Sequence, residues 1–124
     1  MTDTSLLITN ASICNEGRVT EGDVLVRRGR IEHIGRQLPA SRVDRIVDAG
    51  GRYLLPGFID DQVHFREPGM PAKGDIGTES AAAVAGGITS FMDMPNTIPN
   101  ATSRVVLADK YRRASGRARA NYAF

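Results

Sequence analysis

Residues 58–69 have the sequence FIDDQVHFREPG, in which an apolar strand leads into a group of polar side chains. We predict a strand over 58–65, following Pro56-Gly57. Within a few residues the segment supplies an amide at Gln62, an imidazole at His64 and a guanidinium at Arg66. These side chains suit a metal ion bound beside an anionic substrate, and they are poor material for a hydrophobic core.

The sequence that follows predicts two further strands and two helices. The strands should start near residues 88 and 119, and the helices should cover about 77–85 and 104–115. Asp75 and Ser103 are suitable N-cap residues. The order β-α-β-α-β with a period of about 30 residues is typical of parallel strands joined by right-handed crossovers.

The predicted fold class is therefore α/β, with the start of a (β/α)8 TIM barrel over residues 57–124. A closed barrel needs about 250 residues, so two and a half βα units form only part of one. We expect the sequence to be an N-terminal piece of a longer protein or a truncated gene product. The uncovered strand edges make independent solubility of such a piece doubtful.

Residues 1–56 have the pattern of short strands and turns, and they predict a small antiparallel sheet. Strands at 23–27 and 30–34 flank Arg28-Gly29, which is typical of a tight hairpin, but Ile31 and Ile34 break strict alternation. Segments 45–48 and 52–55 predict another strand–turn–strand unit. A single histidine, His33, falls in this sheet, where a structural or exposed role is expected.

The two predicted βα turns carry most of the polar chemistry. In parallel sheets the functional residues lie at the carboxyl ends of the strands, so residues 64–69 and 93–97 should lie at the same edge of the sheet. Gln62 and His64 are two apart on the predicted strand and should share a face, where both could approach one metal ion. An imidazole is a good zinc ligand and a neutral amide is a weak one. A hydrogen-bonded polar histidine is the alternative.

Arg66 and Asn96 are candidates for binding a carboxylate. A guanidinium can hold a carboxylate through two parallel hydrogen bonds, although Arg66 could instead form a surface salt bridge with Glu67 or Asp93. The amide of Asn96 could bind the same carboxylate, or it could be a turn residue after Pro95. Met92 and Met94 alternate on a predicted buried strand and are expected in the core.

Composition and charge exclude several protein classes. The chain has 16 basic and 14 acidic residues and a net charge of +2, which gives no case for nucleic-acid or membrane binding. The basic residues late in the chain, from Lys110 to Arg119, predict a solvated helix face and its exit. A phosphate or nucleic-acid patch is the alternative, but no stacking aromatic residues are interleaved with the arginines. Cys14 is the only cysteine, so no internal disulfide is expected. We see no signal-peptide pattern and no apolar run near the roughly 18 residues that span a bilayer, so a cytoplasmic location is expected.

Several motifs together resemble the dihydroorotases of the amidohydrolase superfamily. They are Pro56-Gly57-Phe58-Ile59-Asp60, Val63-His64-Phe65-Arg66-Glu67-Pro68-Gly69, Thr78-Glu79-Ser80-Ala81-Ala82, Gly86-Gly87-Ile88-Thr89 and Pro95-Asn96-Thr97. The resemblance implies that residues 1–56 are a portion of the small β-sandwich that flanks the barrel. It also implies an enzyme that interconverts dihydroorotate and N-carbamoyl-L-aspartate in pyrimidine biosynthesis.

The resemblance further implies a site with one or two zinc ions. In such enzymes the first barrel strand supplies a His-x-His pair to the metal; His64 matches the second histidine, and Gln62 stands in place of the first. Arg66 and Asn96 match the residues that bind the substrate carboxylate. A carboxylated lysine, two histidines and an aspartate that is also the general base would come from beyond Phe124.

Three functional hypotheses follow. The first is a dihydroorotase acting on a small acidic substrate, alone or as a homo-oligomer. The second is an allantoinase or a dihydropyrimidinase, since allantoinases share much of the motif pattern. The third, motivated by Gln62, is a non-catalytic homologue that is a structural partner of another pyrimidine-pathway enzyme. Retention of Arg66 and Asn96 argues against the third.

Overall fold

The structure, a computed structural model, describes residues 4–124. The chain divides into two compact units, the first ending at Pro56 and the second covering Gly57–Phe124. In the first unit the strands are β1 (Ser5–Asn15), β2 (Arg18–Arg27), β3 (Arg30–Gly35), β4 (Arg45–Asp48) and β5 (Tyr53–Leu54). In the second unit the elements are β6 (Phe58–Val63), α1 (Ile76–Ala85), β7 (Ile88–Asp93), α2 (Arg104–Ala114) and β8 (Asn121–Ala123).

The sheet of the first unit is mixed, so the prediction of a purely antiparallel sheet was wrong. Strands β1, β2 and β3 pair antiparallel, whereas β4 and β5 both pair parallel to β1 and not with each other. The turn between β4 and β5 stays bonded to β1, because Ala49 N–H donates to Thr9 O and Gly51 N–H donates to Asn10 O. The predicted strand–turn–strand unit is therefore present, but both of its strands lie along the same edge of β1.

The β2–β3 hairpin is confirmed. Arg28 and Gly29 both have positive φ, as a type I′ turn requires. Leu25 pairs with His33 while Val26 pairs with Ile31, so Glu32 is the extra residue of a β-bulge. The bulge explains why the apolar residues of this strand do not alternate strictly. His33 is exposed, as expected.

The second unit has the predicted order β-α-β-α-β, and its parallel strands lie in the order β6-β7-β8. Asp75 caps α1 in a capping box with Thr78, and Ser103 accepts from Val106 N–H at the start of α2. Strand β6 ends at Val63, two residues earlier than predicted. It stops there because Phe65 N–H donates to the Asp93 side chain and not to the backbone of a neighbouring strand.

One face of this parallel sheet is packed and the other is open. Phe91 and Asp93 of β7 are buried on the packed face, where the Phe91 ring lies 4.6 Å from that of Phe65. Met92 lies on the opposite face and is 47% exposed, so it is not part of the core that residues 4–124 form. Ile59 is also exposed, and it pairs with Ser90, so it shares the face of Met92. The second face of the sheet therefore exposes apolar side chains.

Candidate functional site

The segments that follow β6 and β7 lie side by side. Met94 N–H donates to Val63 O at 2.9 Å, and Ile98 N–H donates to Pro68 O at 3.1 Å. These two bonds hold the chain from Val63 to Pro68 beside the chain from Met94 to Ile98. The prediction that both polar turns meet at one edge of the sheet is confirmed.

His64 and Asn96 are brought into direct contact. The distance from His64 Nδ1 to Asn96 Oδ1 is 2.9 Å, and both residues are exposed. An amide oxygen only accepts hydrogen bonds, so Nδ1 is the donor in this contact, and in the neutral form of the ring the lone pair then lies on Nε2. A neutral imidazole with a free Nε2 can bind a metal ion. The amide nitrogen of Asn96 keeps both of its protons for another acceptor.

Arg66 lies in this segment with an unusual backbone. Its φ is positive, in a region that non-glycine residues rarely adopt. The Arg66 side chain is half-buried and makes no hydrogen bond or ion pair with the residues that the structure describes. Both carboxylates proposed for a surface salt bridge, Glu67 and Asp93, bind other cations. The salt-bridge alternative is therefore wrong, and the guanidinium is left available for a ligand.

Glu67 is buried and fully bonded. Its Oε1 lies 2.7 Å from Arg117 Nη1, and its Oε2 accepts from Arg117 Nη2 at 3.1 Å and from Ile76 N–H at 3.0 Å. Burial acts to raise the pKa of the Glu67 carboxyl, but the hydrogen bonds from Arg117 and from Ile76 N–H outweigh it, so the pKa lies below its usual value. Arg117 also binds Asp75, so it fastens the segment after β6 to the start of α1.

Asp93 and Lys110 form a buried ion pair that the sequence did not indicate. Lys110 Nζ lies 2.8 Å from Asp93 Oδ2. The Lys110 side chain is 0% exposed and the Asp93 side chain is 1% exposed. Lys110 was expected on a solvated helix face, which was wrong. The signal that could have placed it is the spacing to Ala114, since residues four apart share a helix face and Ala114 is buried.

The described residues do not by themselves form a metal centre. Residues 4–124 contain no cluster of three or more His, Cys, Asp or Glu side chains that could hold a metal ion. Gln62 is exposed and lies within β6, whereas His64 follows the end of that strand, so the two are not neighbours on one strand as predicted. His64 alone has the donor chemistry of a good zinc ligand. No helix in the described part of the chain has the length and apolar character needed to cross a membrane.

The family model and two curated sequences that match this chain all have names that refer to dihydroorotase. A family model described as Dihydro-orotase-like matches residues 51–123. The chain is 43% identical over 97 residues to a dihydroorotase of Methanosarcina acetivorans, covering 78% of this chain and 21% of that protein. It is 44% identical over 110 residues to a dihydroorotase of Pelobacter propionicus, covering 84% of this chain and 26% of that protein. The chain thus spans about a fifth to a quarter of these curated relatives.

The similar solved structures are those of hydantoinases and dihydropyrimidinases. The L-hydantoinase (dihydropyrimidinase) of Arthrobacter aurescens matches with a TM-score of 0.90 and 28% identity, over 98% of this chain and 27% of that one. A dihydropyrimidinase of Brevibacillus agri matches with a TM-score of 0.83 and 29% identity, over 98% of this chain and 26% of that one. The chain therefore matches curated dihydroorotases over most of its length by sequence, and hydantoinase structures over nearly all of its length.

Proposed function

The chain belongs to the dihydroorotase-like family, and we propose that it is part of a metal-dependent hydrolase that interconverts dihydroorotate and N-carbamoyl-L-aspartate in pyrimidine biosynthesis. The observation that carries the proposal is that the Arg66 guanidinium has no partner among the described residues. It lies two positions after His64, which contacts Asn96 of the neighbouring segment. Dihydroorotate is a cyclic amide that bears a carboxylate. A free guanidinium at this edge selects for such a ligand over an uncharged one.

We propose that the parallel sheet is the beginning of a (β/α)8 barrel and that the first unit is a portion of a β-sandwich. The open face with Ile59 and Met92 would then face the barrel interior, opposite the face that α2 covers. The high TM-scores to hydantoinases over nearly all of this chain support the proposal. The barrel would place the segments after β6 and β7 at its catalytic rim, since active sites of this fold lie at the carboxyl ends of the strands.

Zinc is the proposed metal, and His64 is its proposed ligand from this chain. The Nε2 lone pair fits that role, and Asn96 fixes the tautomer from the other side of the ring, as outer partners of metal-bound histidines do. Bound zinc would lower the pKa of a water molecule towards 7 and so supply hydroxide. Gln62 is a weak additional ligand. The remaining ligands and the general base would lie in the part of the relatives that this chain does not cover.

The residues of this chain would bind and orient the substrate. Arg66 would hold the carboxylate of dihydroorotate through two hydrogen bonds. The Asn96 Nδ2 protons are free to donate to the same carboxylate, because its Oδ1 is turned to His64. Fixing the carboxylate at one point orients the ring carbonyl for attack, which lowers the entropic part of the barrier.

The test is an assay of the full-length protein, meaning the whole product of the gene that encodes these residues. We expect it to hydrolyse dihydroorotate, and we expect Arg66→Ala to lower kcat/KM. Unchanged kcat/KM in Arg66→Ala would reject the carboxylate-binding role. Residues 1–124 alone are expected to show no turnover, because they provide one good metal ligand.

Two other functions remain as outcomes of the same assay. The hydantoinase and dihydropyrimidinase neighbours favour an uncharged cyclic amide, so faster hydrolysis of dihydrouracil or allantoin than of dihydroorotate would support that activity. The replacement of a histidine by Gln62 favours a non-catalytic homologue that binds another pyrimidine-pathway enzyme. Absence of turnover with all three substrates in metal-loaded protein would support it.

A further inference from the structure

We propose that Asp93 and Lys110 are positioning residues that fix the segments carrying Arg66 and Asn96 relative to each other, and so set the affinity for the substrate. The identity of that substrate rests on the function proposed above. Neither side chain reaches the exposed edge of the sheet, since both are buried beneath it. They would act through the backbone of the two segments that bind the ligand.

The contacts of Asp93 anchor the first segment. Its Oδ1 accepts a hydrogen bond from Phe65 N–H at 3.0 Å, and Phe65 lies between His64 and Arg66 in the chain. The left-handed backbone of Arg66 is unfavourable in isolation and persists where its surroundings fix it. The anchor at Phe65 N–H holds one side of this residue, and the bond from Met70 N–H to Arg66 O holds the other. Asp93 thereby helps to set the direction of the guanidinium.

The contacts of Lys110 anchor the second segment. Its Nζ donates to Met94 O at 2.9 Å, two residues before Asn96, and it also lies 3.4 Å from Asp93 O. The same ammonium group forms the ion pair with Asp93 Oδ2 and lies 4.7 Å from the centre of the Phe124 ring. One pair of side chains from β7 and α2 thus bonds the backbone of both segments.

The burial of the pair argues that it is more than a stabilising contact. Apolar residues of similar volume commonly replace a buried ion pair with no loss of stability, or with a gain. Apolar side chains could not, however, accept from Phe65 N–H or donate to Met94 O. The polar pair is therefore required for the arrangement of the two segments even where packing would be satisfied without it.

The experiment compares two double variants of the full-length protein in the presence of zinc. Asp93→Leu/Lys110→Met removes both backbone anchors and leaves an apolar pair, whereas Asp93→Asn/Lys110→Met keeps an oxygen for Phe65 N–H. We expect the apolar variant to keep a melting temperature near that of the wild type and to lose about 100-fold in kcat/KM for dihydroorotate, mainly through KM. The asparagine variant should recover part of this loss. Arg112→Met, an exposed change on α2, is the control and should leave both quantities unchanged.

Hydrogen exchange measured by mass spectrometry gives a readout that does not need activity. Exchange in residues 64–70 should be faster in the apolar variant and near that of the wild type in the asparagine variant, while exchange in residues 94–99 should be faster in both. If wild-type protein fails to hydrolyse dihydroorotate, the proposed function fails and the exchange pattern still decides the positioning role. If the apolar variant does not fold, the asparagine variant decides it through residues 94–99.

Two results would overturn the proposal. One is an apolar variant that folds and retains the wild-type kcat/KM, because the pair would then be only structural. The other is an asparagine variant with wild-type exchange in residues 94–99 and unchanged KM.

Discussion

Two sets of polar residues at the carboxyl edge of the parallel sheet differ in burial and in bonding. Glu67, Asp93 and Lys110, which we call the anchor layer, are buried and bonded to several partners. His64, Arg66 and Asn96, which we call the rim, are exposed or half-buried and have few bonds. Burial alternates from His64 to Glu67, with Phe65 and Glu67 buried on either side of Arg66.

The difference shows how the structure separates support from binding. A charge that is removed from water needs partners, so the anchor layer must be satisfied within the fold. A charge near solvent needs none, so the rim can remain available for a ligand. The comparison predicts that removing one partner of a buried charge in the anchor layer lowers the free energy of unfolding, whereas rim substitutions alter ligand binding and leave stability nearly unchanged.

The largest effect on stability is expected for Lys110→Met as a single change. It leaves the buried Asp93 carboxylate without its cation, which should lower the free energy of unfolding by about 3–5 kcal/mol. Urea denaturation of the full-length protein measures this, with Arg112→Met as the exposed control. A loss no larger than that of the control would show that the anchor layer is not needed for stability.

A smaller effect is expected for Glu67→Gln, together with a change in pH dependence. The variant loses the charged hydrogen bonds to Arg117. That loss should cost about 1.5–3 kcal/mol at neutral pH, the usual range for a hydrogen bond to a charged group. Urea denaturation at neutral pH measures it.

The pH dependence of Glu67→Gln follows from the lowered folded-state pKa of Glu67. The contribution of the charged carboxyl is present above the unfolded-state pKa of about 4.3 and is lost as the pH falls through the folded-state value. The wild type should therefore lose more stability than the variant on acidification below about pH 5. Parallel curves of stability against pH would contradict this sign.

The smallest effect on stability is expected for Gln62→His, in the exposed part of the strand before the rim. The free energy of unfolding of the metal-free protein should stay within about 0.5 kcal/mol of the wild type. Zinc binding should tighten, because an imidazole replaces a weak amide ligand. Metal analysis of the full-length protein after dialysis tests this expectation. Two tightly held zinc ions in both the wild type and the variant would show that Gln62 does not weaken the site.

Much of the second unit could be predicted from the sequence because its signals are local. Asp75 and Ser103 cap their helices where the sequence indicates, and the strand-end rule correctly joined the segments of His64 and Asn96. The predicted end of β6 at residue 65 was wrong, because Phe65 N–H donates to the side chain of Asp93 in β7. Local patterns also suggested that β4 and β5 belong to an antiparallel sheet, whereas both pair parallel with one edge of β1.

The anchor layer could not be predicted, because its partners are distant in sequence. Asp93 and Lys110 are 17 residues apart, and Glu67 and Arg117 are 50 apart. A basic residue in an arginine-rich helix has the pattern of a solvated face, and only tertiary contacts reveal that Lys110 is buried. The sequence also could not predict that the Arg66 side chain lacks a partner among the described residues, because this depends on which cations the neighbouring carboxylates bind.

The most direct test of the central claim compares two substrates that differ only in the carboxylate. The kcat/KM of the full-length protein is measured for dihydroorotate and for dihydrouracil, in the wild type and in Arg66→Met. If Arg66 binds the carboxylate, the wild type prefers dihydroorotate, and the variant loses about 10- to 100-fold with dihydroorotate but nothing with dihydrouracil. An equal loss with both substrates, or no loss with dihydroorotate, would contradict the account.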